Sequence, residues 1–145
     1  MKTNFLFVFA LLAMICIVNA IPHQLHKRTT TFGPCPVLLP LVELSVTISP
    51  DPLVSGKTAT FFVKGELTSP ATKDFLIYVQ IAGMDPPFYS KIPLGTTVNV
   101  VLEVPVPANL PADYGIQVDI VDTKTATPVA CAFAVVSATT MSFKQ

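Results

Sequence analysis

From residue 42 onward, apolar and polar residues alternate one for one in a series of short segments. Val42, Leu44, Val46 and Ile48 fall on one side, and Glu43, Ser45, Thr47 and Ser49 on the other. A period of two is the mark of a β-strand with one covered face. The pattern predicts strands over 42–49, 57–67, 74–82, 96–105, 114–122 and 129–137, with a shorter one over 139–143. Phe75, Ile77, Val79 and Ile81 share a face, as do Val98, Val100, Leu102 and Val104, and Tyr114, Ile116, Val118 and Ile120. Val, Ile, Thr and Phe dominate these runs, as a pleated, half-buried surface favours. No window carries a helical period. Pro50-Asp51-Pro52 stops the first run, because proline cannot donate to a ladder, and Gly56 lets the chain reverse. Short strands separated by Pro, Gly, Asp and Thr clusters predict an all-β sandwich.

Two connections break the rule that loops are polar. "GMDPPFYSKIPLG" (83–95) carries Met84, Phe88, Tyr89, Ile92 and Leu94, and "VPVPANLPADY" (104–114) carries Val106 and Leu110. Proline-held loops that display apolar side chains read either as the mouth of a binding cavity or as plugs at one end of an ordinary core.

The N-terminal part of the 145-residue chain is of another kind. Lys2, an apolar run from Phe5 to Val18 and a small residue at Ala20 form the pattern of a secretory signal peptide over 1–20. The run is too short to span a bilayer. Residues 21–34 then form a leader, and the dibasic pair Lys27-Arg28 offers a processing site after Arg28. This predicts a secreted protein, or one of a vacuolar or lysosomal lumen. Cys16 leaves with the signal, and Cys35 and Cys131 remain as an even pair in an oxidising compartment, so a disulfide is expected between them.

Charge and composition remove most chemistry. From Thr29 onward six lysines face nine acidic residues, a net of 6 − 9 = −3, with no arginine. That argues against nucleic acid. No Asn-x-Ser/Thr sequon occurs. Both histidines, His23 and His26, lie in the leader, which leaves the domain without the base of a Ser-His-Asp or Cys-His arrangement. A bonded cysteine pair argues against a zinc site. Asp119 and Asp122 lie three apart on one strand and face opposite sides, and Asp51, Asp85 and Asp113 read as turn or solvated residues. No enzyme activity, metal or cofactor is expected. A carbohydrate-binding sandwich is weakened by the absence of tryptophan, with Tyr78, Tyr89 and Tyr114 the only tyrosines.

From Cys35 to the C-terminus the chain resembles the ML lipid-recognition family, which includes the Niemann-Pick type C sterol-binding protein and the fungal phosphatidylglycerol/phosphatidylinositol transfer proteins. The resemblance rests on Cys35 before the first strand, "VTISPDPLVSGKTATFFVKG", "GMDPPF", "VPVPANLPADYGIQVDIVD" and Cys131 in the last strand. It implies an immunoglobulin-like sandwich whose sheets splay around an apolar cavity. By position, Phe88 and Val106 match residues at the sterol binders' cavity mouth. Leu110 stands where those proteins carry a tyrosine, which weighs against sterol. Cys35 and Cys131 match the family's N-to-C-terminal disulfide, and the two smaller disulfides of animal members have no counterpart.

The expectation is a secreted monomer without cofactor that binds a phospholipid or a sterol and carries it between membranes through transient contact. Phe61, Val63, Ile77, Val79, Val100, Leu102, Ile116, Val118 and Phe133 would line the cavity, and Phe88, Val106 and Leu110 its mouth. The rival is a secreted sandwich with a filled core that binds glycan or protein on its outside.

Overall fold

The computed structural model describes residues 29–137. The expected signal peptide 1–20, the leader up to Lys27-Arg28 and the expected strand 139–143 lie outside them. The described residues form eight strands and no helix: β1 (Val42–Glu43), β2 (Ser45–Ser49), β3 (Thr58–Ala71), β4 (Phe75–Ile81), β5 (Phe88–Lys91), β6 (Gly95–Pro105), β7 (Tyr114–Asp122) and β8 (Thr127–Val136). They assemble as a five-stranded sheet, β1-β8-β7-β4-β5, and a three-stranded sheet, β2-β3-β6. All pairs are antiparallel except β1 with β8. In an immunoglobulin-type sandwich, strands A, B and E share one sheet and C, F and G the other. In chain order β2, β3 and β6 take the first set of places and β4, β7 and β8 the second, with β5 added beside β4. The all-β sandwich is thus as the alternation predicts.

The alternating faces meet between the sheets. Phe61 and Val63 of β3, Ile77, Val79 and Ile81 of β4, and Ile116, Val118 and Ile120 of β7 have no exposed surface. Val98, Leu102 and Val104 of β6 close the core from the three-stranded side. Among the described residues no polar or charged side chain other than Tyr114 is buried.

Two strand assignments change. The run 42–49 is not one strand. Val42 pairs with Ala130 in the large sheet, whereas Ser45 begins the pairing with β3 in the small one. The chain crosses between sheets at Leu44, whose N–H still reaches the Cys131 carbonyl at 3.2 Å and whose side chain is buried. Alternation survives the crossing because Leu44 and Val46 both point inward, so the pattern conceals it. Gly65 makes the room: a Cβ there would stand 2.7 Å from Leu44 Cδ2. The second change is β5, which occupies the middle of the expected connection 83–95. It pairs Phe88 with Val79 and Lys91 with Leu76.

The registers set the two ends of the sandwich. Asp122 pairs with Thr127 and Phe75, Leu76 with Lys91, and Ala71 with Gly95. Segments 36–41, 72–74, 92–94 and 123–126 therefore gather at one end. Segments 50–57, 82–87 and 106–113 gather at the other.

The segment before β1 is fastened along the outside. Asp51, expected to be only a turn residue, accepts the Thr30 N–H at 2.8 Å and the Thr30 hydroxyl at 2.6 Å. Gly33 exchanges both backbone hydrogen bonds with Phe133 at 2.9 Å. Cys35 is bonded to Cys131, 96 residues away. That disulfide fits an oxidising compartment. Closing a loop of this length restricts the unfolded chain by roughly 4.7 kcal/mol in the entropy model. Cys131→Ala is therefore expected to lower stability by about 2–5 kcal/mol in denaturant titration. Two free thiols in protein purified under oxidising conditions would contradict the pairing. Asp51→Ala removes a carboxylate that takes two hydrogen bonds. It should lower stability by about 1–3 kcal/mol and release the Thr30 amide to rapid hydrogen exchange, while Asp51→Asn keeps part of both.

Candidate functional site

Eight of the nine residues expected to line a cavity face the space between the sheets. Six of them, Phe61, Val63, Ile77, Val79, Ile116 and Val118, are fully enclosed, and Leu102 is 6 % exposed. Val100 is half-buried and packs on the same cluster. It lies on β6, an edge strand of the small sheet, while β5 is the free edge of the large one.

Phe133 does not belong with them. It stands opposite Gln117 in the β7–β8 register, and Cys131 stands opposite Asp119. Directly paired residues share a face, and Gln117 and Asp119 lie on the face away from Ile116 and Val118. The inner positions of β8 are Ala130, Ala132, Ala134 and Val136, all buried. Hydrophobic weight alone points the phenylalanine inward. The parity of β8 is instead fixed by Cys131, whose partner Cys35 runs along the outside of the sheet.

The three expected mouth residues collect at one end, but not as freely displayed loop side chains. Phe88 is the first residue of β5, turned inward beside Val79, and it is half-buried against the core. Leu110 is half-buried on the same cluster. Val106 is 5 % exposed and its N–H binds the Lys57 carbonyl at 2.8 Å, so it is part of the core. Ile92 is buried too, while Tyr89 faces outward and stacks obliquely on Tyr78 at 6.1 Å.

The outer face of the large sheet carries its own relief. A groove of about 330 Å³ runs over Gly115, between Gln80, Gln117, Asp113 and the half-buried ring of Phe133. Gly115 forms its floor, since a Cβ there would come within 3.2 Å of Phe133 Cε2. Next to it lies Asp119, half-buried, with its carboxylate within 4.8 Å of the Cys35 and Cys131 sulfurs. With those sulfurs bonded to each other, the trio offers a metal no thiolate. Gln117 Nε2 donates to Asp119 Oδ2 at 2.7 Å. Burial raises the Asp119 pKa above the ordinary carboxylate range, against the smaller opposing effect of the Gln117 hydrogen bond.

Alternation does not single out one further apolar cluster. Val37, Leu38 and Leu39, between Pro36 and Pro40, are exposed just beyond Cys35. The available signal was three aliphatic residues in a row, bracketed by prolines and without a strand period.

No protein-family model matches the chain, and no curated protein matches it.

The sign of the Asp119 effect is fixed by linkage. A carboxyl whose pKa is higher folded than unfolded favours the fold in its protonated form, so its contribution falls as pH rises through the interval between the two values. Asp119→Asn, which keeps an acceptor for Gln117, should therefore unfold at a temperature no lower than wild type at pH 7. Thermal unfolding from pH 4 to 7 should show less decline in the variant. A variant clearly less stable at pH 7 would mean that the charge is favourable where it sits.

Proposed function

We propose that this protein is a secreted or vacuolar-lumen carrier that takes the apolar part of a phospholipid or sterol between its two sheets, moves it between membranes and performs no covalent chemistry. The observation that carries this reading is the interior itself. Among the described residues no hydrogen-bonded ladder joins the sheets, and apart from Tyr114 only apolar side chains are buried. Parting such faces breaks no hydrogen bond, and an aliphatic tail inserted there recovers roughly 0.8 kcal/mol per buried CH₂. A polar core would oppose both steps.

The place where parting is easiest is the margin between β5 and β6, the free edges of the two sheets on that side. Phe88 and Val100, two of the incompletely covered inner residues, are on these strands, with Leu110 at the adjoining end; Ile48 on β2 is a third, at the side the N-terminal segment closes. The mouth suggested by the resemblance thus becomes a lateral slit, with Phe88 at its rim and Val106 beneath it. With few polar groups on the way, tails would be held strongly and head groups distinguished weakly.

One observation favours the rival reading. The outer groove sets the amides of Gln80 and Gln117 and the carboxylate of Asp113 around Phe133, a mixture of ring and hydrogen-bonding groups that suits a sugar.

Mass spectrometry of an organic extract of the purified protein separates the two. A co-purified lipid near one per protein is expected, and a lipid-free extract together with no uptake of fluorescent phosphatidylglycerol or sterol would refute the carrier. Phe88→Asp puts a charge on the rim, where desolvation opposes passage of a tail. Uptake should be abolished, whereas Phe88→Met, apolar and of similar volume, should retain it. If both variants fold and bind lipid like wild type, the slit is not the way in.

A further inference from the structure

We propose that the end of the sandwich opposite Val106 and Leu110 is a membrane-docking surface, with Leu38 as its leading residue and a preference for anionic lipid. This rests on the carrier reading above and adds the face that such a carrier would present to a bilayer. Leu38 is fully exposed, and Val37 and Leu39 flank it at 50 % and 56 %. Exposed leucines are ordinary when scattered. Three in succession on a short loop held between prolines, with no charged residue from Thr29 to Val42, are not. The loop is also anchored at both sides, by the Cys35–Cys131 bond and by the β1–β8 pairing. Its apolar side chains are therefore held out in solvent rather than free to fold back.

The same end carries a second apolar point and a set of cations. Leu94, 72 % exposed, closes the β5–β6 connection at the far side of the sheet. Four strand spacings of roughly 4.8 Å separate β1 from β5, so the two points stand about 19 Å apart. Lys73, Lys91 and Lys124 lie on or beside the turns at this end, and all three are exposed. The acidic residues of these turns, Asp74 and Asp122, are half-buried, and Asp122 Oδ1 is engaged by the Lys124 N–H at 2.9 Å. Glu43 and Glu66 are exposed as well, but they lie within strands, set back from the tips of the turns. The outermost charge of this end is therefore positive on a chain whose net charge from Thr29 is negative.

Shape and charge together select the occupant. A protein partner would need a pocket to receive a protruding leucine. A bilayer accepts protruding apolar tips anywhere along its surface, with lysines lying at the level of the head groups. Docking this way stands the β5–β6 slit across the interface, with Leu94 at its foot.

The chain contains no tryptophan, so Leu38→Trp introduces a single reporter at a site with no packing to lose. With vesicles of phosphatidylcholine and phosphatidylglycerol its emission should shift to the blue and be quenched by lipids brominated along the tail. Val54→Trp, exposed at the opposite end, should do neither. Leu38→Asp should bind these vesicles about tenfold more weakly. Replacing phosphatidylglycerol by phosphatidylcholine, adding salt, or making Lys73→Glu with Lys124→Glu should each weaken docking. Absence of a shift with either vesicle would overturn the proposal, as would an equal shift at Val54→Trp. A shift that appears without vesicles and grows with protein concentration would also overturn it, by assigning the patch to a second copy. Uptake of a monomeric fluorescent lipid in vesicle-free solution is measured on the same variants. Uptake without docking refutes this surface and leaves the carrier standing, and docking without uptake does the reverse.

Discussion

The contact between two apolar sheet faces is the constraint on which everything else in this protein depends. Each sheet satisfies its own backbone hydrogen bonds, and no ladder crosses from one to the other. What joins them is side-chain packing among residues such as Phe61, Ile77, Val79, Ile116 and Val118, together with the chain crossings at Leu44, 72–74, 92–94 and 106–113. Packing of this kind is strong in sum and non-directional. It keeps the sheets together without prescribing one spacing between them. The same property that makes the fold stable is the one on which the proposed exchange of part of this contact for an apolar guest relies.

Such an arrangement needs its margins fixed by other means, and the N-terminal segment serves one side. Thr30 is held by Asp51 near one end, Gly33 by Phe133 midway, and Cys35 by Cys131 further along. The chain then turns, pairs with β8 through β1, and passes into the small sheet as β2. This side is closed by a covalent bond, hydrogen bonds and a strand shared in sequence by both sheets. The other side, where β5 faces β6, has only the short connection 92–94. In the proposed carrier this asymmetry would make the Cys35 side the hinge and the β5–β6 side the opening.

The fold was legible because alternation is a direct record of burial. The long strands β3, β4, β6, β7 and β8 all lie where period two places them, and their inner residues follow from it. Three features were not legible, each for a physical reason. The crossing at Leu44 preserves parity, so one strand and two strands in different sheets look alike. β5 is four residues long and follows prolines, so its apolar Phe88 reads as a loop residue until pairing with β4 is seen. Phe133 is large and apolar but faces out, because the disulfide fixes the parity of β8 and small alanines fill the inside. The candidate site was readable only as an inward set. Residues lining a hollow and residues filling a core obey the same pattern.

That ambiguity has a consequence for specificity. If the interior takes a guest as proposed, side chains of Val, Ile, Leu and Phe would offer it surface area and almost no directional contact, and would rank ligands by apolar length and width rather than by chemistry. In that reading, discrimination between head groups would have to come from what surrounds the proposed opening. Near the β5–β6 margin the polar groups are Ser90 on the inner side of β5, Tyr89 and Lys91 on its outer side, and Thr96, Thr97, Asn99 and Glu103 on β6. Lys91 is the one cation among them and stands at the end of the margin where Leu94 is exposed. In the proposed carrier a phosphate at that end would meet a cation, while the Phe88 end carries carboxylates, Asp85 in the preceding turn and Glu103 on β6, and, with Leu110 in place, no aromatic hydroxyl from that position. Under the proposed carrier reading, a cation at one end and carboxylates at the other would direct an anionic head group to the Lys91 end.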